Sequence, residues 1–187
     1  DQLKVGPTHL RENDLGPVID AEAREGLLAH IQQLKAEGKL IAEAGLPGSL
    51  NGHFVAPVAF EIGSILELKK EQFGPVLHVV RFDAADLEKV VADINATGYG
   101  LTLGVHSRNE ETAERIEALA RVGNLYVNRN QVGAVVGVQP FGGCGLSGTG
   151  PKAGGPSYLL RFVNERTTST NTTAVGGNAS LLSLGDD

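Results

Sequence analysis

The sequence predicts an α/β fold in which helices cover a parallel sheet. The main observation is that strand-like and helix-like segments alternate between residues 75 and 128, because strands joined through helices usually pair in parallel. A second observation is size, since 187 residues, of which 41% are hydrophobic, suffice for about one domain with a buried core. Gly, at 25 residues, exceeds its usual share of ~7% and predicts many turns and close backbone contacts.

The N-terminal third predicts one helix followed by two strands. The helix is expected over 20–37, because Asp20 is a favourable N-cap and Gly38 follows the last turn. Its buried face would carry the apolar residues at helical spacing, namely Leu27, Ile31 and Leu34. Strands are expected over 39–44 and 54–61, with a turn-rich stretch between them.

The alternating region contains three further strands and two helices. The strands are expected over 75–82, 101–106 and 125–128, and the helices over 86–95 and 110–121. The residues from Ser107 to Glu110 match a capping box before the second of these helices. Right-handed crossovers would place the carboxyl ends of the three strands at one edge of the sheet, where such sheets bind ligands.

Regular structure is expected to stop after Asn130. Residues 133–156 contain nine Gly and three Pro, which is typical of a structured loop with a functional role. Residues 157–168 return to a strand-like composition, and the small, polar tail from Ser169 is expected to lean on another subunit or domain. We therefore predict a division of the chain into residues 1–156 and residues 157–187.

The composition argues against several functional classes. A net charge of −6 is unlike the basic surface of a nucleic-acid-binding domain, and no apolar run approaches the ~18–20 residues that span a bilayer. One Cys cannot form an internal disulfide, so a reducing, cytoplasmic setting is expected. The chain begins at Asp1 and contains no Met, from which we expect it to be part of a longer polypeptide.

A Gly-rich hexapeptide at 143–148 matches the letters of the dinucleotide-binding pattern G-x-G-x-x-G. Pro140 and Phe141 precede it in place of a strand, and Pro151 follows where a helix should begin, so the context favours a loop. Cys144 has only flexible Gly beside it and is interpreted as a small side chain tolerated in a turn. The five His show no metal-ligand spacing, and no metal site is expected.

Two interpretations of the segment Glu71–Pro75 remain open. The Glu71 carboxylate could accept hydrogen bonds from a ribose diol, and the Phe73 ring could pack against a planar ring. Composition alone favours the simpler interpretation, a turn that leads into a strand. His78, within that strand, is interpreted as an ordinary strand residue.

Five motifs in a fixed order resemble the C-terminal half of the aldehyde dehydrogenase superfamily. In chain order they are DLGPVI at 14–19, GHFVAP at 52–57, EQFGP at 71–75, GNLYVN at 123–128 and PFGG-x-G-x-SG at 140–148. The segment 128–141 resembles the aldehyde-anchor loop of 1-pyrroline-5-carboxylate dehydrogenases. The tail at 171–182 is similar to that of bifunctional proline utilisation A proteins.

The resemblance implies the thiol-side catalytic domain of the aldehyde dehydrogenase fold, followed by an oligomerisation strand at about 160–168. It implies NAD as the cofactor, with Glu71 on the hydroxyls of the nicotinamide ribose and Phe73 beside that ribose and ring. Gly133 and Ala134 would present backbone N–H groups to the substrate carboxylate. Phe141 would lie along the aliphatic chain of the substrate.

The implied reaction is the oxidation of glutamate semialdehyde to glutamate, through a thiohemiacetal, hydride transfer to NAD and thioester hydrolysis. The nucleophilic Cys and the Asn oxyanion donor of the family would lie upstream of Asp1, so this chain would supply pocket walls and no catalytic residue. FAD would belong only to an N-terminal proline-oxidising part, and the C-terminal strand would make a homo-oligomer. Two alternatives are a dehydrogenase of another carboxylated semialdehyde, such as succinate or succinylglutamate semialdehyde, and a non-catalytic oligomerisation module.

Overall fold

The computed structural model describes residues 3–171, in which helices and short strands alternate along the chain. The helices are α1 (Ala21–Ala36), α2 (Leu87–Ala96) and α3 (Glu110–Leu119). The strands are β1 (Leu40–Glu43), β2 (Val58–Glu61), β3 (Val76–Val79), β4 (Tyr99–Gly100), β5 (Thr102–Val105), β6 (Asn124–Val127) and β7 (Cys144–Gly145). Three 3₁₀ helices complete the described part, at Ile65–Glu67, Ala84–Asp86 and Tyr158–Phe162. Each element predicted before Asn128 is present, with ends that shift by a few residues.

Helix α1 begins and ends as the sequence predicts. The Asp20 carboxylate accepts a hydrogen bond from the Ala23 N–H at 2.8 Å, which satisfies one of the free donors of the first turn. Gly38 adopts a φ of 72° after the last turn, a conformation that glycine reaches without strain. The helix and the β2 region share one buried core, formed by Leu27, Ile31, Leu34, Val55, Val58, Phe60 and Ile62.

The strands form three small sheets within the described residues. In the first, β2 lies between an antiparallel β1 and a parallel β3. In the second, β5 and β6 are parallel, and in the third, β4 and β7 are antiparallel. The expectation of a single sheet that also contains β3 is wrong for this part of the chain. The reason is that an alternation of strands and helices specifies the direction of the strands but not which strands are neighbours.

The carboxyl ends of β5 and β6 lie side by side, as predicted. Asn128 follows β6, and its side-chain amide exchanges two hydrogen bonds with the backbone of Ser107 after β5. The Ser107 N–H donates to Asn128 Oδ1 at 3.0 Å, and Asn128 Nδ2 donates to the Ser107 carbonyl at 2.9 Å. Asn128 has a φ of 53°, which asparagine tolerates better than most residues. Phe82, after β3, lines the same cavity as His106, so the third strand end lies nearby.

The predicted capping box before α3 does not form. The N-cap is Asn109, whose side chain makes no cap hydrogen bond, and Ser107 Oγ accepts instead from the Asn109 N–H at 3.0 Å. The backbone of Ser107 is already bonded to the Asn128 side chain, so Ser107 does not act as the N-cap, although the helix begins at Glu110 as predicted. A capping box does form at the first 3₁₀ helix, between Ser64 and Glu67.

The strand predicted over 157–168 is also absent from the described structure. Tyr158–Phe162 is a 3₁₀ helix in which the two end rings meet edge to face, with centroids 5.4 Å apart. Val163 then has extended backbone, with φ −118° and ψ 147°, but residues 163–171 form no strand. Within residues 3–171 no strand pairs with this segment, so its strand-like composition yields extended chain. The tail beyond Asn171 lies outside the described residues, and the predicted division after residue 156 stays a prediction.

None of the helices within residues 3–171 is both long enough and apolar enough to cross a membrane.

Candidate functional site

The segment Glu71–Pro75 forms a tight turn beside a cavity of about 820 Å³. The Gly74 N–H donates to the Gln72 carbonyl at 3.0 Å, and the Val76 N–H donates to the Gly74 carbonyl at 2.8 Å. Gly74 rests on Leu27 of α1, where any added Cβ would collide with the leucine side chain. The turn is therefore fixed between the buried core on one side and β3 on the other.

Both predicted cofactor residues line this cavity. Phe73 is 81% exposed, although a ring of this size is normally buried. Glu71 is exposed, and its carboxylate makes no hydrogen bond or ion pair with any residue that the structure describes. An available carboxylate next to an uncovered aromatic ring matches the chemistry of a ribose diol attached to a planar ring.

The remaining wall of the cavity comes from the segment before the turn, the end of α2, β4, β5 and the Gly-rich hexapeptide. Lining residues include Lys69, Lys70, Tyr99, Thr102, Leu146 and Ser147. Ser147 Oγ accepts a hydrogen bond from the Gly100 N–H at 3.0 Å, which fixes the hexapeptide against β4. A cavity of about 820 Å³ lies within the range of small-molecule sites. Sequence reasoning missed the two lysines, although they stand immediately before Glu71.

A histidine pair stands behind the turn. The Nε2 atoms of His30 in α1 and His78 in β3 lie 2.8 Å apart, so that one ring donates and the other accepts. Burial lowers the pKa of both imidazoles, and the positive charge of Lys70 lowers the pKa of His30 further. The sequence contains no signal for this pair, because the two residues are 48 positions apart and belong to different elements.

The predicted substrate residues Gly133 and Ala134 lie on residues 130–139, named here the anchor loop. Gly133 has a φ of 108°, which a residue with a side chain would adopt only under strain. Both residues are exposed, and neither backbone N–H donates a hydrogen bond to any part of the chain that the structure describes. Two adjacent backbone donors left free on an exposed loop can together bind a carboxylate.

Phe141 lies just beyond the anchor loop and is half-buried. Its N–H donates to the Ala153 carbonyl at 3.0 Å, and its carbonyl accepts from the Ala153 N–H at 2.8 Å. The buried Asn124 at the start of β6 holds the neighbouring backbone. Its Nδ2 donates to the Pro140 carbonyl at 3.1 Å, and its Oδ1 accepts from the Gly142 N–H at 3.4 Å. The position of Phe141 is therefore set by backbone pairing and by one asparagine.

The structure places the predicted residues in two groups. Glu71 and Phe73 line the cavity of about 820 Å³, whereas Gly133, Ala134 and Phe141 do not. The groups are linked through Thr102, which lines the cavity and donates from Oγ1 to Gln131 Oε1 of the anchor loop at 3.3 Å.

Cys144 contacts backbone carbonyl groups. Its Sγ lies 3.1 Å from the Arg121 carbonyl oxygen and 3.7 Å from that of Gly100. An activated nucleophile instead needs a neighbouring base or cation. The hexapeptide around Cys144 pairs with β4 and continues into turns, with no helix directly after it, which is the loop context that the sequence predicts.

No group of three or more His, Cys, Asp or Glu side chains within residues 3–171 is arranged to hold a metal ion.

Most of the chain is similar to proteins of one known family. Residues 1–168 match the aldehyde dehydrogenase family. The chain is 58% identical over 171 residues to the bifunctional protein PutA of Klebsiella aerogenes, an alignment that covers 88% of this chain and 13% of that protein.

Two solved structures are similar as well. A mutant of proline utilization A from Bradyrhizobium japonicum has 54% identity and a TM-score of 0.83, over 92% of this chain and 18% of that one. A 1-pyrroline-5-carboxylate dehydrogenase from Thermus with bound NAD has 43% identity and a TM-score of 0.76, over 87% of this chain and 31% of that one. The chain thus spans less than a third of the length of each of these relatives.

Proposed function

Because the chain belongs to the aldehyde dehydrogenase family, we propose that it is the C-terminal part of the catalytic domain of an NAD-dependent dehydrogenase that oxidises glutamate semialdehyde to glutamate. The similarity to PutA and to 1-pyrroline-5-carboxylate dehydrogenase supports this choice of substrate. The chain would act within a longer polypeptide, named here the complete enzyme. A flavin-dependent part that oxidises proline would also belong to it and would lie outside this chain.

The observation that carries the proposal is the pair of free N–H groups at Gly133 and Ala134. A short acidic semialdehyde has one carboxylate that water solvates well, so the pocket must replace that hydration with oriented donors. Two adjacent backbone donors do so, and neither residue has a side chain large enough to cover them. Phe141 would cover the methylene groups between the carboxylate and the aldehyde, and would thus set the distance from the anchor to the reacting carbon.

The residues of the turn fit the cofactor. Glu71 would accept hydrogen bonds from the two hydroxyls of the nicotinamide ribose, and Phe73 would pack beside the same ribose and ring. Both side chains are exposed at the cavity, and the Glu71 carboxylate is free to accept. When bound, NAD supplies the hydride acceptor of the oxidation.

The remaining roles belong to other parts of the complete enzyme. A nucleophilic Cys outside this chain would attack the aldehyde, and Cys144 would take no part. The exposed apolar side chains of Leu159, Leu160, Phe162 and Val163 support an oligomerisation contact for the C-terminal segment. A single, exposed, unpaired thiol is ordinary in a reducing compartment, and we assign the complete enzyme to the cytoplasm.

Enlarging Ala134 tests the proposal. In the complete enzyme, Ala134→Leu should displace the carboxylate and lower kcat/KM for glutamate semialdehyde by at least about tenfold, since a charge-assisted hydrogen bond is worth about 1.5–3 kcal/mol. A neutral aldehyde of similar length does not use the anchor and should lose much less. The measurement is the ratio of kcat/KM for the two substrates, with Ala118→Leu on the exposed face of α3 as the matched control. Equal losses for both substrates would contradict the proposal.

A further inference from the structure

We propose that Arg129 and Tyr126 form a clasp that aims the two N–H groups of the anchor loop, and that both are positioning residues for the substrate carboxylate. The role rests on the proposed function of Gly133 and Ala134, and it concerns what makes those donors point in one direction. Neither side chain is expected to touch the substrate.

Arg129 holds the anchor loop at both ends. Its Nε donates to the Asn130 carbonyl at 3.3 Å and its Nη2 to the Val132 carbonyl at 3.4 Å. Its Nη1 donates to Gln139 Oε1 at 3.2 Å, across the full length of the loop. A guanidinium group presents its donors in a rigid planar fork, so one side chain can hold three acceptors in a fixed relative geometry.

Tyr126 supports the guanidinium and makes the fourth contact. It is buried in β6, and the Arg129 Cζ lies 4.7 Å from the centre of its ring, within the range of a cation–π interaction. The Tyr126 hydroxyl donates to the Gly133 carbonyl at 3.2 Å. The clasp is therefore built on a rigid strand, while the loop that it holds is exposed.

Peptide geometry converts these contacts into the direction of the donors. In a trans peptide unit the carbonyl and the following N–H lie in one plane and point in opposite directions, and the described chain has no cis peptide bond. Arg129 holds the Val132 carbonyl, whose peptide unit carries the Gly133 N–H. Tyr126 holds the Gly133 carbonyl, whose peptide unit carries the Ala134 N–H. Both carbonyls are bonded to the clasp, so both N–H groups are turned away from it.

The two donors are thus oriented before any substrate arrives. A loop without the clasp would sample other peptide orientations, and binding would have to select the one in which both N–H groups are turned away from β6. The cost of that ordering would fall on carboxylate binding alone. The clasp should consequently affect the KM for the semialdehyde and not the chemical step.

The test uses Tyr126→Phe and Arg129→Lys in the complete enzyme, with steady-state kinetics on glutamate semialdehyde and on a neutral aldehyde of similar length. Tyr126→Phe removes one hydroxyl and keeps the ring under the guanidinium, and should raise the KM for the semialdehyde about fivefold. Arg129→Lys keeps the charge but loses the fork, and should raise this KM about tenfold or more. For both variants, kcat and the neutral-aldehyde kcat/KM should change by less than about twofold. Tyr158→Phe, whose hydroxyl is not part of the clasp, is the control.

The outcomes separate the clasp from the proposed function. If the wild type prefers the semialdehyde and Ala134→Leu removes the preference, but neither clasp variant changes the semialdehyde KM, the clasp is wrong and the anchor stands. If a clasp variant weakens both substrates equally, the contacts are merely structural and the inference is also overturned. If the wild type shows no preference for the semialdehyde, the anchor itself is absent and both proposals fail.

Discussion

The turn at 71–75 and the anchor loop are both proposed to contact ligands, but they are positioned in opposite ways. The turn rests on Leu27 of the buried core and leads into β3, which pairs with a strand that contains the fully buried Phe60. The anchor loop is exposed from residue 131 to residue 138 and is held by hydrogen bonds from Arg129 and Tyr126. Burial thus fixes the segment that offers side chains, and directional polar contacts fix the segment that offers its backbone.

The difference has a physical basis. Burial of a large apolar side chain contributes about 1.5–3 kcal/mol and has no preferred direction. A hydrogen bond contributes only about 0.5–1.5 kcal/mol but specifies the orientation of a peptide unit. We therefore expect the turn to lose its conformation only when a substitution disrupts the packing of the core beneath it. The anchor loop should respond to the loss of single polar atoms.

The largest expected effect comes from breaking the core under the turn. Phe60 is the largest fully buried side chain, and Phe60→Ala should lower the free energy of unfolding by about 3–5 kcal/mol. The midpoint of urea unfolding of the complete enzyme measures this loss, with Phe60→Leu as a milder variant. The KM for NAD should rise together with the instability, because the turn loses its support. If the unfolding midpoint and the KM for NAD of Phe60→Ala equalled those of the wild type, the turn would not depend on burial. The contrast with the anchor loop would then be wrong.

A smaller effect should follow when the turn loses only its exposed carboxylate. Glu71→Ala should raise the KM for NAD, because two charge-assisted hydrogen bonds of about 1.5–3 kcal/mol each would be lost. The unfolding midpoint should not change, since Glu71 has no partner in the described structure. Glu114→Ala, which removes an exposed carboxylate from α3, is the matched control. An unchanged KM for NAD together with an unchanged kcat would contradict the proposed contact between Glu71 and the nicotinamide ribose.

The histidine pair should add a modest pH dependence to the region of the turn. The pKa of His30 and of His78 is lowered in the folded chain, so the unfolded chain binds protons that the folded chain excludes. The stability of the neutral pair is complete above the ordinary value of 6.5 and is lost as the pH falls below it. Nearby charges act in both directions, since Lys70 lowers the pKa of His30 and Glu37 raises it.

Unfolding midpoints of the complete enzyme on either side of that value measure the effect. His30→Gln should flatten the decrease in stability towards acid, whereas His9→Gln, on an exposed surface, should leave it as it is. An identical slope in wild type and His30→Gln would show that the pair contributes nothing to folding.

The smallest effect is expected at Cys144, where we predict almost none. Its thiol makes only weak contacts with two backbone carbonyls and is exposed. Cys144→Ala in the complete enzyme should leave kcat, both KM values and the unfolding midpoint close to those of the wild type. Loss of aldehyde oxidation with an intact fold would instead assign Cys144 to the chemistry.

Local patterns in the sequence predicted the elements better than their arrangement. Helix α1 could be predicted because Asp20, Gly38 and the apolar spacing between them act within one element. The capping box failed because Ser107 is engaged by Asn128, a contact over 21 positions that no local pattern contains. No strand forms over 157–168 in the part of the chain that the structure describes for a related reason, since composition specifies a strand only when a partner is present.

The candidate site shows the same difference between local sequence patterns and contacts that join distant residues. The roles proposed for Glu71, Phe73, Gly133, Ala134 and Phe141 come from resemblance, because each stands within a short motif, and they stay predictions. Arg129 and Tyr126 stand in or beside such a motif, yet their contacts with the anchor loop appear only in three dimensions. The contact between His30 and His78 could not be predicted at all, because it requires the packing of α1 on β3.

The two asparagines at the ends of β6 have a consequence for the evolution and engineering of substrate range. Asn128 ties the entrance of the anchor loop to Ser107, and Asn124 ties its exit to Pro140 and Gly142. The residues between Asn128 and Pro140 lie outside the buried core. We expect the intervening stretch to be replaceable as a cassette without changes in the buried core, provided that its contact with Tyr126 is kept. Transplanting a cassette from a dehydrogenase of a longer or shorter aldehyde, with both asparagines kept, should transfer the preference for chain length.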